Sequence, residues 1–291
     1  MSNKRKLAKN KRFISDYFKG FFYDLCSIMS WKFIYIREEL MEKYFDINEK
    51  GHSIRCKLFC NNARDINEVV LCAHGFAGHK DNKSTERFAN DVLSKFKKTA
   101  VLIFDLPAHG KDVKKRVMLS DCDEYISIIL DYIRTQCGTD NIKGYANSFG
   151  GYLFLKYIHD HGNPFVRLAL RSPAITIYES VLANMLAEGD MDLLEKGKDA
   201  LIGFDRKIAV SKDFIEDIRR TDVRKYDYLD EIEKIIIIQG TGDEIIDCNE
   251  VYEFADNNLI EYVPVEGADH RISKTSDMGN VIKRVIEFLE L

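Results

Sequence analysis

Ser148 lies in the run Gly144-Tyr145-Ala146-Asn147-Ser148-Phe149-Gly150-Gly151, between an apolar strand-like segment and a helix-like one. Very small residues two places to either side of a serine suit a sharp strand-turn-helix bend, where neighbouring chain approaches too closely for larger side chains. Such a bend lifts the hydroxyl to the top of a sheet and aims the next amide, that of Phe149, at whatever the serine attacks. The common spacing is G-x-S-x-G; here Ala146 takes the first small position, which alanine still fits. A serine hydroxyl is a poor nucleophile near neutral pH and needs a base within hydrogen-bond reach and a group to orient that base. His270 is the candidate base, in the small-residue loop Val265-Glu266-Gly267-Ala268-Asp269-His270-Arg271 ahead of the last helix. Asp243 is the candidate orienting acid, in the glycine-rich turn Gln239-Gly240-Thr241-Gly242-Asp243-Glu244. Glu244 and Asp247 are its rivals, Asp247 being placed to cap the following helix. A developing oxyanion needs a second N–H besides that of Phe149. The loop His74-Gly75-Phe76-Ala77-Gly78-His79-Lys80 offers the amide of Phe76. Beside it, His79 reads either as a substrate contact or as a surface histidine, and Asp105 and His109 as shapers of a tight loop.

The elements that must hold these residues follow from the apolar periodicity. A hairpin-like pair, about 42–48 and 53–60, is joined by Asn48-Glu49-Lys50-Gly51. Strand Val69–Ala73 then precedes helix 84–97, strand Ala100–Phe104 precedes helix 121–136, and strand Ile142–Ala146 runs into helix 150–161. Strand Val166–Leu170 follows, and later strand Ile235–Ile238, helix 248–256, strand Leu259–Val265 and helix 277–290. Short apolar runs alternating with amphipathic ones predict an α/β fold, a mainly parallel sheet with helices on both faces. Chemistry in such sheets sits at the carboxyl ends of strands, and each motif above falls at one. The alternation breaks between about Pro173 and Ile232, where apolar positions such as Val181, Met185, Leu186, Phe204, Phe214 and Ile218 read as several short helices. An insertion there, at about 174–232, is expected to form a cap over the site or to pack on the body. Met185, Leu186 and Phe204 are candidates to line an acyl pocket.

Composition narrows the classes. The chain has 291 residues, 45% hydrophobic and 31% charged, enough for a full buried core. Its net charge of -4 argues against a nucleic-acid partner, although residues 1–12 carry six basic residues and no acid. Behind that basic tip, Ile14, Tyr17, Phe18, Phe21, Phe22 and Leu25 fall on one helical stripe, so residues 1–41 are expected to form an amphipathic helical extension. Two roles are open to it: packing on the body or a second subunit, or peripheral contact with an anionic membrane surface. The run 13–36 is broken by Asp16, Lys19, Asp24 and Lys32, unlike a cleaved leader or a membrane-spanning helix. Seven cysteines without a C-x-x-C pair or Cys/His metal spacing suggest reduced thiols, no metal site and a cytoplasmic setting.

With these motifs together, residues 42–291 resemble the alpha/beta-hydrolase superfamily. The carrying segments are His74–Phe76, Asp105–Gly110, the Ala146–Gly150 bend, Gly240–Asp243 and Gly267–His270, in the chain order Ser148, Asp243, His270. Within the superfamily the chain looks most like bacterial carboxylesterases of the cinnamoyl/feruloyl-esterase and monoacylglycerol-lipase type, with a distant likeness to serine aminopeptidases. The resemblance implies an alpha/beta-hydrolase domain with a helical cap and a Ser148–His270–Asp243 triad. It also implies an oxyanion hole from the amides of Phe76 and Phe149, and cleavage of a small-molecule ester without cofactor. A peptidase, a thioesterase or acyltransferase, and a non-catalytic ligand-binding relative are the alternatives.

Overall fold

The computed structural model describes residues 41–112, 115–204 and 206–291. The expected N-terminal helix therefore lies outside the described residues, except that Met41 already opens a strand.

Strands β1 (Met41–Glu49) and β2 (His52–Cys60) form an antiparallel hairpin. Its two-residue turn has Lys50 at φ 49° and Gly51 at φ 82°, the paired left-handed conformation that suits a twisted hairpin and favours glycine. From there the chain alternates: β3 (Glu68–Ala73), α1 (Lys83–Lys95), β4 (Thr99–Phe104), α2 (Leu119–Tyr132), β5 (Ile142–Asn147), α3 (Phe149–His161) and β6 (Leu168–Arg171). After an excursion come β9 (Ile235–Gly240), α7 (Cys248–Asn257), β10 (Glu261–Val265) and α8 (Thr275–Phe288). The sheet order is β1-β2-β4-β3-β5-β6-β9-β10. β2 runs antiparallel to β4, and every pairing from β4 through β10 is parallel.

The period-two alternation of a strand decides which layer each side chain joins. Val69, Leu71 and Ala73 of β3, with Ile235 and Ile237 of β9, pack into the layer holding Ile126 and Ile129 of α2, Phe154 of α3 and Phe254 of α7. Val70 and Cys72, with Ile236 and Ile238, face the opposite layer, where Phe88 and Val92 of α1 meet Val281 and Val285 of α8. Strands buried on both faces read as unbroken apolar runs, which is why the sequence pattern locates them.

Between β6 and β9, residues 172–234 carry α4 (Ile177–Asn184), α5 (Asp190–Glu195) and α6 (Lys212–Arg220). They also carry a two-stranded antiparallel pair, β7 (Ala200–Ile202) and β8 (Ile208–Val210), where only helices were expected. Strands of three residues are too short to register a period, and Leu201 on β7 is exposed. Two further boundaries move. β6 begins at Leu168 rather than Val166, and β10 at Glu261, because Leu259 takes a positive φ of 52° and stays exposed. The six described cysteines form no disulfide, and Cys26 lies outside the described residues. Among the described residues no helix is long and apolar enough to cross a membrane.

Candidate active site

Ser148 sits between the end of β5 and the start of α3 with φ 48° and ψ -116°. This conformation costs a non-glycine residue about 1–3 kcal/mol and persists only where surroundings impose it. Here they do. The Ser148 N–H donates to Arg171 O at 3.0 Å, and its carbonyl accepts from Tyr152 N at 3.1 Å and Ala174 N at 3.0 Å. A Cβ on Gly150 would lie 2.8 Å from the backbone of Ala73, so the first turn of α3 can press against β3 only with glycine there. Ala146, fully buried, pairs with Ala73 on one side and Leu170 on the other, and its methyl packs into the core.

The structure brings Ser148, His270 and Asp243 into one line. His270 Nε2 lies 3.0 Å from Ser148 Oγ, and His270 Nδ1 lies 2.8 Å from Asp243 Oδ2. A carboxylate only accepts, so Nδ1 carries the proton there; in the neutral ring Nε2 then accepts from the serine hydroxyl. Asp243 is held on every side. Its Oδ1 accepts from the N–H of Ile245 and Ile246, both at 2.9 Å, and its Oδ2 also accepts from Gln239 Nε2 at 2.8 Å. Burial alone would raise its pKa. The hydrogen bond and charge of His270, with the amides of Ile246 and Ile245, outweigh that and hold the carboxyl below its ordinary value. The rivals are otherwise engaged. Glu244 Oε2 accepts the backbone N–H of His270 at 3.1 Å, and Asp247 caps α7 by accepting from Asn249 N.

Two loops at adjacent strand ends carry Asp243 and His270, and they are laced together. Thr241 N donates to Val265 O, Gly242 N to Ala268 O, and Gly267 N to Thr241 Oγ1 at 2.7 Å. A Cβ on Gly240 would lie 2.3 Å from Ala268 O, which fixes glycine where the loops cross.

The loop after β3 approaches the serine from the other side: a Cβ built on Gly75 would stand 3.2 Å from Ser148 Cβ. The N–H of Phe76 takes part in no hydrogen bond among the described residues. Phe149 opens α3, where first-turn amides lack intrahelical partners. The two rings meet edge to face with centroids 5.4 Å apart, and Phe214 of α6 packs on both.

His74 and His109 hold this loop from behind. His74 Nε2 accepts from Leu106 N at 3.2 Å, so its Nδ1 carries the proton donated to Gly75 O at 2.8 Å. Burial pushes its pKa down to about 4. His109 donates from Nδ1 to Pro107 O at 2.7 Å, stacks edge-on against Phe76, and is pushed by burial to about 3. Asp105, also buried, accepts from Lys80 N at 2.7 Å and Lys80 Nζ at 3.2 Å, fastening the end of the same loop to β4.

Ser148 and His270 open onto a cavity of about 900 Å³. Met185 and Phe204 line it, as does His79; Leu186 does not, packing against the core instead. Sequence reasoning passed over Gln239, Asn147 and Arg171. A glutamine inside the apolar run of β9 and an arginine closing the run Leu-Ala-Leu-Arg of β6 were the available signals. Among the described residues no three His, Cys, Asp or Glu side chains are grouped as metal ligands.

The backbone aligns over most of its length with solved structures of modest identity. Est1E from Butyrivibrio proteoclasticus, solved with ferulic acid, is 20% identical with a TM-score of 0.69, over 84% of this chain and 98% of that one. The chain has the alpha/beta-hydrolase fold. The same alpha/beta-hydrolase architecture aligns with esterase Pf2001 from Pyrococcus furiosus at 17% identity and TM-score 0.64, over 87% and 93% of the two chains. Mouse alpha/beta hydrolase domain-containing protein 10 aligns at 13% identity and TM-score 0.63, over 85% and 98%. The profile of the family described as serine aminopeptidase, S33, matches residues 64–203, which run from the turn before β3 through Ser148 to the end of β7. No curated protein matches the chain in sequence.

Proposed function

We propose that the protein is a serine hydrolase that cleaves carboxylic esters through an acyl-enzyme. The observation that carries this reading is the continuous contact Ser148 Oγ, His270 Nε2, His270 Nδ1, Asp243 Oδ2, at 3.0 and 2.8 Å. Ser148 attacks the ester carbonyl while His270 Nε2 takes its proton. The N–H groups of Phe76 and Phe149 receive the oxyanion, at the positive end of α3 in the case of Phe149. Asp243 fixes the ring and stabilises its charged form without itself taking a proton. His270 then passes the proton to the departing alcohol, and activates a water that breaks the acyl–serine bond. Residues 172–234 act as a cap, bringing Met185 and Phe204 to the cavity as apolar acyl contacts.

The same groups could cleave a peptide, and the family profile is described as serine aminopeptidase. An aminopeptidase must hold a substrate ammonium, for which a carboxylate in the cavity is the natural partner. Glu244 is the carboxylate on the lining among the described residues, and it is committed to the His270 amide. Ester cleavage is therefore the favoured reading. Turnover of p-nitrophenyl acyl esters of graded length, set against aminoacyl p-nitroanilides, tests it. Hydrolysis of the esters with little of the anilides is expected, and the reverse order would replace the reading with a peptidase.

A further inference from the structure

The part of the cavity wall built by the first turns of α1 and α8 has its own chemistry. Lys83, Ser84 and Arg87 come from the start of α1, and Thr275 from the start of α8. Helices of 13 and 14 residues each present about half a positive charge at this end. Arg171 enters the same cavity from the end of β6 and is only 8% exposed. Its Nε donates to Asn147 Oδ1 at 3.1 Å and its Nη1 to Arg271 O at 3.0 Å, with Met278 Sδ at 3.6 Å. Its Nη2 makes no hydrogen bond among the described residues, and no carboxylate pairs with the guanidinium there. Arg87 donates from Nη1 to Thr275 O at 3.3 Å, and a Cβ on Gly279 would stand 2.9 Å from its Nη2. The missing side chain of Gly279 thus leaves room for that guanidinium. Neither Arg87 nor Lys83 has a carboxylate partner among the described residues. The first-turn acids do not neutralise them: Asp277 pairs with Lys274 at 3.3 Å, and neither Asp277 nor Glu86 lines the cavity. A buried arginine without counter-charge, beside two helix N-termini and two more cations, is costly to leave unpaired. A chain of net charge -4 has no general excess of cations to explain it.

We propose that this wall is an anion subsite, so that the preferred ester bears a carboxylate or phosphate on the part seated against Arg87, Arg171 and the N-termini of α1 and α8. The catalytic consequence rests on the serine-hydrolase reading above; the binding does not. Arg171 also ties the His270 loop to β5, so its replacement risks the fold, and Arg87 carries the test. Two esters of equal length are compared, the monoester of glutaric acid with p-nitrophenol and p-nitrophenyl valerate, which differ in a terminal carboxylate against a methyl. The ratio of their kcat/KM should favour the anionic ester by about tenfold or more at low salt, as expected for charge-assisted hydrogen bonds, and should narrow in about 0.5 M salt. Arg87→Met should reduce that ratio by about tenfold, while Arg219→Met, on the exposed face of α6, leaves it unchanged. In parallel, calorimetry on the Ser148→Ala protein measures binding of glutarate and of inorganic phosphate, with and without Arg87→Met. Phosphate alone binding, or glutarate alone, identifies which anion the subsite takes. If valerate is hydrolysed but the anionic ester is not preferred, or Arg87→Met changes neither ratio nor binding, the subsite is overturned and the hydrolase reading stands. If neither ester is hydrolysed, the hydrolase reading falls, and calorimetry alone decides. Anion binding weakened by Arg87→Met upholds the subsite, and no binding overturns it.

Discussion

Asp243 and Glu244 are neighbours in sequence, yet one carboxylate meets the ring of His270 and the other its backbone N–H. The two should separate cleanly in kinetics. Asp243→Asn keeps the shape but presents an amide to Nδ1, favouring the wrong tautomer, and is expected to lower kcat by about 10⁴-fold. Glu244→Gln keeps an oxygen for the His270 N–H and should leave kcat within about threefold, since a hydrogen bond of that kind contributes on the order of 1 kcal/mol. Steady-state turnover of one p-nitrophenyl ester by both variants checks this, and equal losses would contradict the assignment. Ser148→Ala should cost on the order of 10⁴-fold with an unchanged unfolding midpoint. Ser148, Asp243 and His270 were legible because small-residue spacing and position after apolar runs mark them in one dimension. Arg171, Gln239 and the tautomer-defining bonds of His74 were not, because each depends on a partner 4 to 107 residues away that only the assembled sheet supplies.

At the scale of elements, the register of β9 against β10 sets the crossing of the Asp243 loop and the His270 loop, and Gly240 is the point of contact. Gly240→Ala would drive a methyl into Ala268 O, 2.3 Å away. It should destabilise the fold by about 1–3 kcal/mol in urea unfolding and reduce kcat by more than its effect on KM, because His270 moves with the loop. A variant with wild-type stability and turnover would show that the loops are not coupled there. Outside about 173–232 the alternation of β and α elements was readable, since strands buried on both faces are apolar runs and their covering helices are amphipathic. The hairpin β7–β8 was not readable, because its strands are held by pairing to one another and by the packing of Ala200, Ile202, Ile208 and Val210 rather than by a pattern of their own. The start of β10 shifted because Leu259 takes a positive φ, which apolar content does not report.

For the molecule as a whole, two buried neutral histidines make acid stability a property of the site's support. His74 and His109 titrate near 6.5 when unfolded and at about 4 and about 3 when folded. The unfolded chain therefore binds protons first, so stability is fully present above pH 6.5 and is lost as pH falls towards 4. Each histidine contributes a slope approaching about 1.4 kcal/mol per pH unit in that window. Asp243, also held low, adds to the loss below its ordinary value of 3.8. Urea midpoints measured from pH 7 to pH 4.5 should fall steeply in the wild type and less so in His109→Gln; parallel curves would remove His109 from this account. The central claim, that Ser148 is the nucleophile raised by His270, meets its most direct test in fluorophosphonate labelling followed by peptide mapping. One covalent adduct, on Ser148 and abolished by His270→Ala, is the predicted result. A folded protein that remains unlabelled, or is labelled at another residue, would contradict it.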